Sequence, residues 1–197
     1  MIKYYCKNIF SGTKEALLLV MLLLSASSYG QEGIPYITFF DDKEGFESQN
    51  WAICQDDRHA MLFANKKGIT RYDGKEWKPI TLPFIPIDIC YHPLSEKVYI
   101  LSDNHCGYLK RTSSGVYRYE SLQHKENPAV SMEKIYVTDK RVFFYGSDRV
   151  CIANAHDNHF THTLTSEHYG SFRGMFIHQD RAFINTSHKG LCRLTQA

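Results

Sequence analysis

From residue 50 onward the chain alternates short apolar runs with turn-forming polar residues, and the whole arrangement recurs. The first unit contains Trp51-Ala52-Ile53-Cys54, then Ala60-Met61-Leu62-Phe63-Ala64, then Gly68-Ile69-Thr70-Arg71-Tyr72. Corresponding runs fall at 87–91, 97–101 and 107–111, at 134–137, 141–146 and 149–152, and at 174–177, 181–186 and 190–194. The apolar residue after the turn into each third run is Ile69, Tyr108, Val150 and Leu191, spaced 39, 42 and 41 residues apart. A repeat of about 40 residues built from short strands is the signature of propeller blades. Asp56-Asp57-Arg58, Pro93-Leu94-Ser95, Thr138-Asp139-Lys140 and His178-Gln179-Asp180 read as turns between first and second strands. Asp73-Gly74 reads as a tight type I′ hairpin turn leading to a fourth strand at Trp77.

The pattern therefore predicts an all-β chain, a partial β-propeller whose blades have four antiparallel strands. It predicts about four blades, near 50–83, 86–123, 130–164 and 171–197, the last one incomplete because no fourth strand follows Leu194. A sandwich of short strands is the alternative all-β reading. No helical spacing of apolar residues occurs outside the N-terminal region.

That region reads as a secretory signal peptide over residues 1–30. Lys3, Lys7 and Lys14 precede the apolar run 16–24, and small residues follow at 25–30. The run is far shorter than the roughly 20 residues a spanning helix needs. Cleavage is expected near Gly30, with Ser28 as the second choice and an uncleaved anchor as the competing reading. The expected location is outside the cytoplasmic membrane, periplasmic or extracellular, with no span after cleavage.

Composition adds limits. An apolar fraction of 43% with 14% aromatics supports a packed core. A net charge of +2 gives no field for nucleic acid or an anionic membrane. Cys54, Cys90, Cys106, Cys151 and Cys192 remain after the signal, without a C-x-x-C pair. They track the repeat and read as buried thiols, although an oxidising compartment would permit one or two bridges.

The stretches Gly33-Ile34-Pro35-Tyr36-Ile37-Thr38-Phe39-Phe40, Gln49-Asn50-Trp51-Ala52-Ile53-Cys54-Gln55-Asp56 and the run 62–77 resemble the start of the periplasmic region in two-component regulator propeller proteins. Those are large bacterial sensors with many propeller repeats, a three-Y β-sandwich, a membrane helix and a kinase or DNA-binding output. The resemblance covers about residues 33–77 closely and the rest as pattern only. It departs at His59-Ala60, where the family usually has Gly in the turn. It implies the front end of such a sensor, cut off after about four blades and without an output module. The implied partner is an extracellular glycan or other small ligand, and any dimer would form through parts of the parent protein not in this sequence.

Candidate chemistry is thin. His156, His159 and His162 are the densest histidine group, but strand alternation does not converge their rings on one metal. Asp41-Asp42-Lys43-Glu44 and Asp56-Asp57 could supply the paired carboxylates of a glycosidase, yet neighbours in a turn normally face water. Trp51, Tyr72, Trp77, Tyr99, Tyr108, Tyr117, Tyr119 and Tyr145 could stack on sugar rings, or fill the space between sheets. No nucleophile elbow or phosphate loop is present. Asn185-Thr186-Ser187 formally matches a glycosylation acceptor and is read as accidental. We expect no catalytic, cofactor or metal residues and no nucleic-acid partner, and the ligand-binding residues are unassigned. The functional expectation is a ligand-sensing propeller segment; the alternatives are an exported propeller enzyme acting on carbohydrate and a stand-alone interaction module.

Overall fold

The computed structural model describes residues 15–21, 47, 49–122 and 131–195. The chain divides into two units, Met1–Asp41 and Asp42–Ala197. In the first, residues 15–21 are helical. The cleavage region, residues 33–40 and Asp41-Asp42-Lys43-Glu44 lie outside the described residues. No helix among the described residues is long and apolar enough to cross a membrane.

The second unit is a row of four antiparallel sheets, each a meander in chain order. The first has β1 (Ala52–Gln55), β2 (Met61–Asn65), β3 (Gly68–Tyr72) and β4 (Trp77–Ile80). The second has β5 (Asp88–His92), β6 (Lys97–Leu101), β7 (Cys106–Arg111) and β8 (Tyr117–Ser121). The third has β9 (Met132–Val137), β10 (Arg141–Gly146), β11 (Arg149–Asn154) and β12 (Phe160–Thr165). The fourth has three among the described residues, β13 (Phe172–His178), β14 (Arg181–Thr186) and β15 (Gly190–Arg193). First strands of neighbouring sheets lie side by side, β1 with β5, β5 with β9 and β9 with β13, so they form the inner wall. This is the blade arrangement of a propeller; among the described residues the row is unclosed and the fourth blade has three strands.

Strand alternation explains why the middle strands are almost wholly apolar. On β6, Val98 and Ile100 pack toward blade 1 while Tyr99 and Leu101 pack toward blade 3. On β10, Val142 and Phe144 face blade 2, and Phe143 and Tyr145 face blade 4. Every side chain of β6 is buried, whereas β14 alternates buried with exposed because blade 4 has a neighbour on one side among the described residues. Cys54, Cys90, Cys106 and Cys192 sit within this packing as free thiols, and the Cys151 side chain is buried there beside the Thr163 hydroxyl. Burial, aided by the neighbouring Cys90 thiol, pushes Cys54 up to about 12; burial and Asp88 raise Cys90 to about 11; burial and Cys151 raise Cys106 to about 12.

The blades are tied together at the end where first strands finish, the lower rim. Between blades 1 and 2, the fully buried carboxylate of Asp56 accepts from Arg111 Nη2 at 2.7 Å and Tyr117 OH at 2.8 Å on its Oδ2. Its Oδ1 accepts from the Arg58 and Ala60 N–H groups, both at 2.9 Å. The turn expectation for Asp56-Asp57 stands, but Asp56 does not face water: it is the anchor of an interface. Burial opposes its ionised form; the Tyr117 hydroxyl, the two amides and the Arg111 charge outweigh that and hold the carboxyl below its ordinary range. In the same turn His59 takes the left-handed conformation, φ 60°, that glycine adopts without strain.

Between blades 2 and 3, His92 Nε2 donates to Thr138 O at 2.8 Å, which fixes the tautomer because a carbonyl only accepts. Lys97 Nζ and Tyr99 OH both reach Ala155 O and Asn158 Oδ1. Between blades 3 and 4 the Asp139 N–H donates to Asp180 Oδ1 at 2.7 Å. The hairpin after β3 is a correction: Tyr72 pairs with Trp77, so the loop has four residues instead of a two-residue I′ turn. Asp73 Oδ1 closes it by accepting from the Lys75 and Glu76 N–H groups.

Replacing Asp56 by Ala strands Arg111 and two amides and should cost about 3–5 kcal/mol in denaturant unfolding at pH 7. Because its folded carboxyl is lowered, this contribution is present above the ordinary value of 3.8 and fades as the pH falls below it. Wild type and Asp56→Ala should therefore converge in acid. For the thiols, Ellman's reagent at pH 8 should leave Cys54, Cys90 and Cys106 of a native Cys6→Ser chain unreacted on the timescale that labels Cys192. All should react at once in denaturant.

Candidate functional site

At the opposite end, the upper rim where first strands begin, polar side chains gather on the inner wall. Asp88 opens β5, and its Oδ2 accepts from Ile135 N–H of β9 at 2.8 Å. Lys134 Nζ, itself half exposed, lies 3.6 Å from Asp88 Oδ1. Burial raises the Asp88 carboxyl above its ordinary range, and the Ile135 amide and the Lys134 charge only partly oppose this.

Two irregularities shape the neighbouring positions. The pairing of β9 with β10 slips between Lys134 and Met132, leaving Glu133 as an extra residue. The pairing of β13 with β14 slips between Phe172 and Gly174, leaving Arg173 extra in the same way. A bulge bends the strand and takes the extra side chain out of the in–out alternation, a device common beside binding sites. Both Glu133 and Arg173 are exposed. The flanking residues pay the alternation back: Met132 and Ile135, three apart, both face blade 2, and Phe172 and Met175, three apart, both face blade 3. Behind the bulges, Tyr136 and Tyr145 meet edge to face at 6.1 Å, and the Tyr145 hydroxyl donates to Phe172 O at 3.0 Å. Both phenols are raised, by burial first, then by the Asp88 and Glu133 charges at Tyr136 and by Glu133 at Tyr145.

The same rim carries apolar surface over blades 1 and 2. Trp51 donates from Nε1 to Pro86 O at 2.6 Å and keeps 39% of its surface exposed. Phe84 stacks on His105 at 4.7 Å. On blade 3, Asp148 Oδ1 and Arg149 Nε are closed to solvent without a hydrogen-bond partner. Carboxylates, an ammonium, a guanidinium and aromatic faces on one rim suit a polar, hydroxyl-rich ligand with apolar ring faces.

The aromatics weighed from sequence divide by position. Tyr99, Tyr108 and Tyr145 are buried between blades, and Tyr117 and Tyr119 are half buried there. Tyr72 and Trp77 stack at 4.4 Å beside Phe63 on blade 1. His156 and His159 lie in the β11–β12 turn and His162 on β12, all exposed. Among the described residues no three His, Cys, Asp or Glu side chains come together. Sequence reasoning missed Glu133, Lys134, Arg173 and Asp88; the paired apolar residues three apart were the signal for the bulges.

No known family profile matches the chain, and no curated protein matches it. Solved structures do match, and they show a propeller fold. The extracellular domain of a hybrid two-component system protein, BT4673 of B. thetaiotaomicron, superposes with a TM-score of 0.56 at 14% identity, over 74% of this chain and 20% of that one. Virginiamycin B lyase from Staphylococcus aureus gives 0.53 at 10% identity, over 75% and 55%. The computationally designed Ika4 protein gives 0.57 at 7% identity, over 77% and 93%. The chain thus spans about a fifth of the BT4673 domain.

Asp88→Asn keeps an acceptor for the Ile135 amide and removes the buried charge. The raised folded carboxyl means that its stabilising contribution is complete below 3.8 and lost as the pH rises through the folded value. The variant should therefore equal or exceed wild type in thermal stability at pH 7, and its advantage should shrink in acid. A variant clearly less stable than wild type at pH 7 would contradict the assignment.

Proposed function

We infer that the chain is the sensing segment of an exported propeller serving a two-component-type regulator, and that it takes a carbohydrate or related polyhydroxyl ligand at the upper rim. The observation that carries this reading is the pair of bulges that put Glu133 and Arg173 outside the strand alternation at the rim where Lys134 pairs with Asp88. The likeness to the BT4673 extracellular domain and the N-terminal targeting pattern support it. In this reading the chain binds and performs no catalytic step, it engages no nucleic acid, and transduction belongs to other parts of a longer regulator.

The test is a thermal-shift screen of the purified chain against plant and host oligosaccharides. A ligand at a hundredfold excess over its Kd adds about 2.7 kcal/mol, a rise of several degrees for a domain of this size. At least one oligosaccharide should give that rise, and the Glu133→Gln, Arg173→Ala double variant should abolish it while its unliganded Tm stays unchanged. A panel without any shift, or an equal shift in the double variant, would overturn the reading.

A further inference from the structure

The lower rim holds a cleft between blades 2 and 3 that neither the inter-blade ties nor the upper rim uses. Three hairpin turns build it. The β5–β6 turn supplies Leu94 and Ser95, the β9–β10 turn supplies Asp139 and Lys140, and the β11–β12 turn supplies Ala155 and His156. All three turns belong to blades whose four strands are described. The cleft measures about 340 Å³, within the range of small-molecule sites. Its walls are held in place from behind. His92 Nε2 ties the first turn to Thr138 O beside the second, and the Ala155 N–H donates to Lys140 O at 3.0 Å.

Two ammonium groups flank this cleft, and neither has a carboxylate in contact. Lys140 stands opposite Ala155 in the ladder, and Ala155 packs toward blade 2, so Lys140 shares the face that looks at the β5–β6 turn. Lys140 is exposed and, among the described residues, makes no ion pair. Behind the wall Lys97 is buried, its Nζ 3.3 Å from Ala155 O, 2.9 Å from Asn158 Oδ1 and 4.9 Å from the centre of the Tyr108 ring. All three contacts are neutral, whereas a buried charge is normally paired. Burial, then the Lys110 charge, lower this ammonium below its ordinary range, and the Glu120 and Asp157 charges oppose that only in part. The Ala155 carbonyl is turned inward onto Lys97 and Tyr99, which takes its negative end away from the cleft. Asp139 is the one carboxylate that lines the cleft, set against two ammonium groups, the Ser95 hydroxyl and the His156 imidazole.

We propose that this cleft binds an oxyanion: a phosphate, sulfate or carboxylate group, free or carried on a small molecule. Lys140 makes the direct ion pair, Ser95 and His156 donate hydrogen bonds, and Lys97 adds its charge from behind Ala155. The volume leaves room beside the anion for the molecule that bears it, and exposed Leu94 gives that molecule an apolar lip. Because the three turns come from two blades, a bound anion adds a further tie between blades 2 and 3. The site is independent of what the upper rim binds.

The probes are sodium phosphate, sulfate and acetate, each titrated into the isotope-labelled full chain at an ionic strength held constant with sodium chloride. At least one should move the amide resonances of Ser95, Lys140 and His156 along a saturable curve. Saturation by phosphate or sulfate alone assigns a tetrahedral anion, and by acetate alone a carboxylate. With the anion bound, the Lys97 ammonium should titrate at higher pH than without it. Lys140→Met should bind at least about tenfold more weakly, a loss of 1.4 kcal/mol or more, and Lys140→Arg should keep the site. Hydrogen exchange at the β6 amides, unchanged in both variants, shows that the fold is kept. Absence of saturation by all three anions, resonance shifts that sodium chloride reproduces, saturation mapped to another surface, or equal affinity in Lys140→Met would overturn the proposal.

Discussion

A four-stranded blade has no interior. Its two faces are one residue thick, and each must be covered by another sheet if the apolar side chains of its middle strand are to leave water. Everything in the second unit follows from that constraint. It makes β6 and β10 read as continuous apolar runs, sends Tyr99 and Ile100 into different clusters, and makes the stability of each blade a loan from its neighbours. Polar groups then decide the spacing. Sheets that slide over an apolar interface have no preferred register, and a buried carboxylate with four donors supplies one.

The fold was legible in the sequence because this constraint writes a period. The recurrence of Ile69, Tyr108, Val150 and Leu191 comes from strands that must present the same face at each step. What the period could not carry was the polar chemistry of the interfaces. Asp56 has the neighbours of an ordinary solvent turn, and its partners Arg111 and Tyr117 stand more than 50 residues away. Lys97 looks like a solvated strand end, yet it is buried against the carbonyl of Ala155. Long-range pairings of this kind have no local signature.

The upper rim was hidden for a different reason. A bulge is a one-residue insertion, and in a repeat whose length already varies by a few residues it is lost among turn differences. Glu133 and Arg173 therefore fell just outside the runs read as strands, 134–137 and 174–177. The tell was local: Met132 with Ile135, and Phe172 with Met175, break the two-residue alternation at the same place in successive blades. Trp51 and Tyr72 show the converse limit, since residue type alone does not separate aromatics that bridge two blades from those on an outer face.

The lower-rim ties are unequal, and that has a mechanical consequence. Blades 1 and 2 share a carboxylate–guanidinium anchor, and blades 2 and 3 share an imidazole, an ammonium and a phenol. Among the described residues, blades 3 and 4 share one backbone donor on Asp180 at that rim. Tension applied across the described blades at this rim would therefore meet least resistance between blades 3 and 4. There the sheets would part first, while the charged and imidazole ties would keep blades 1, 2 and 3 together.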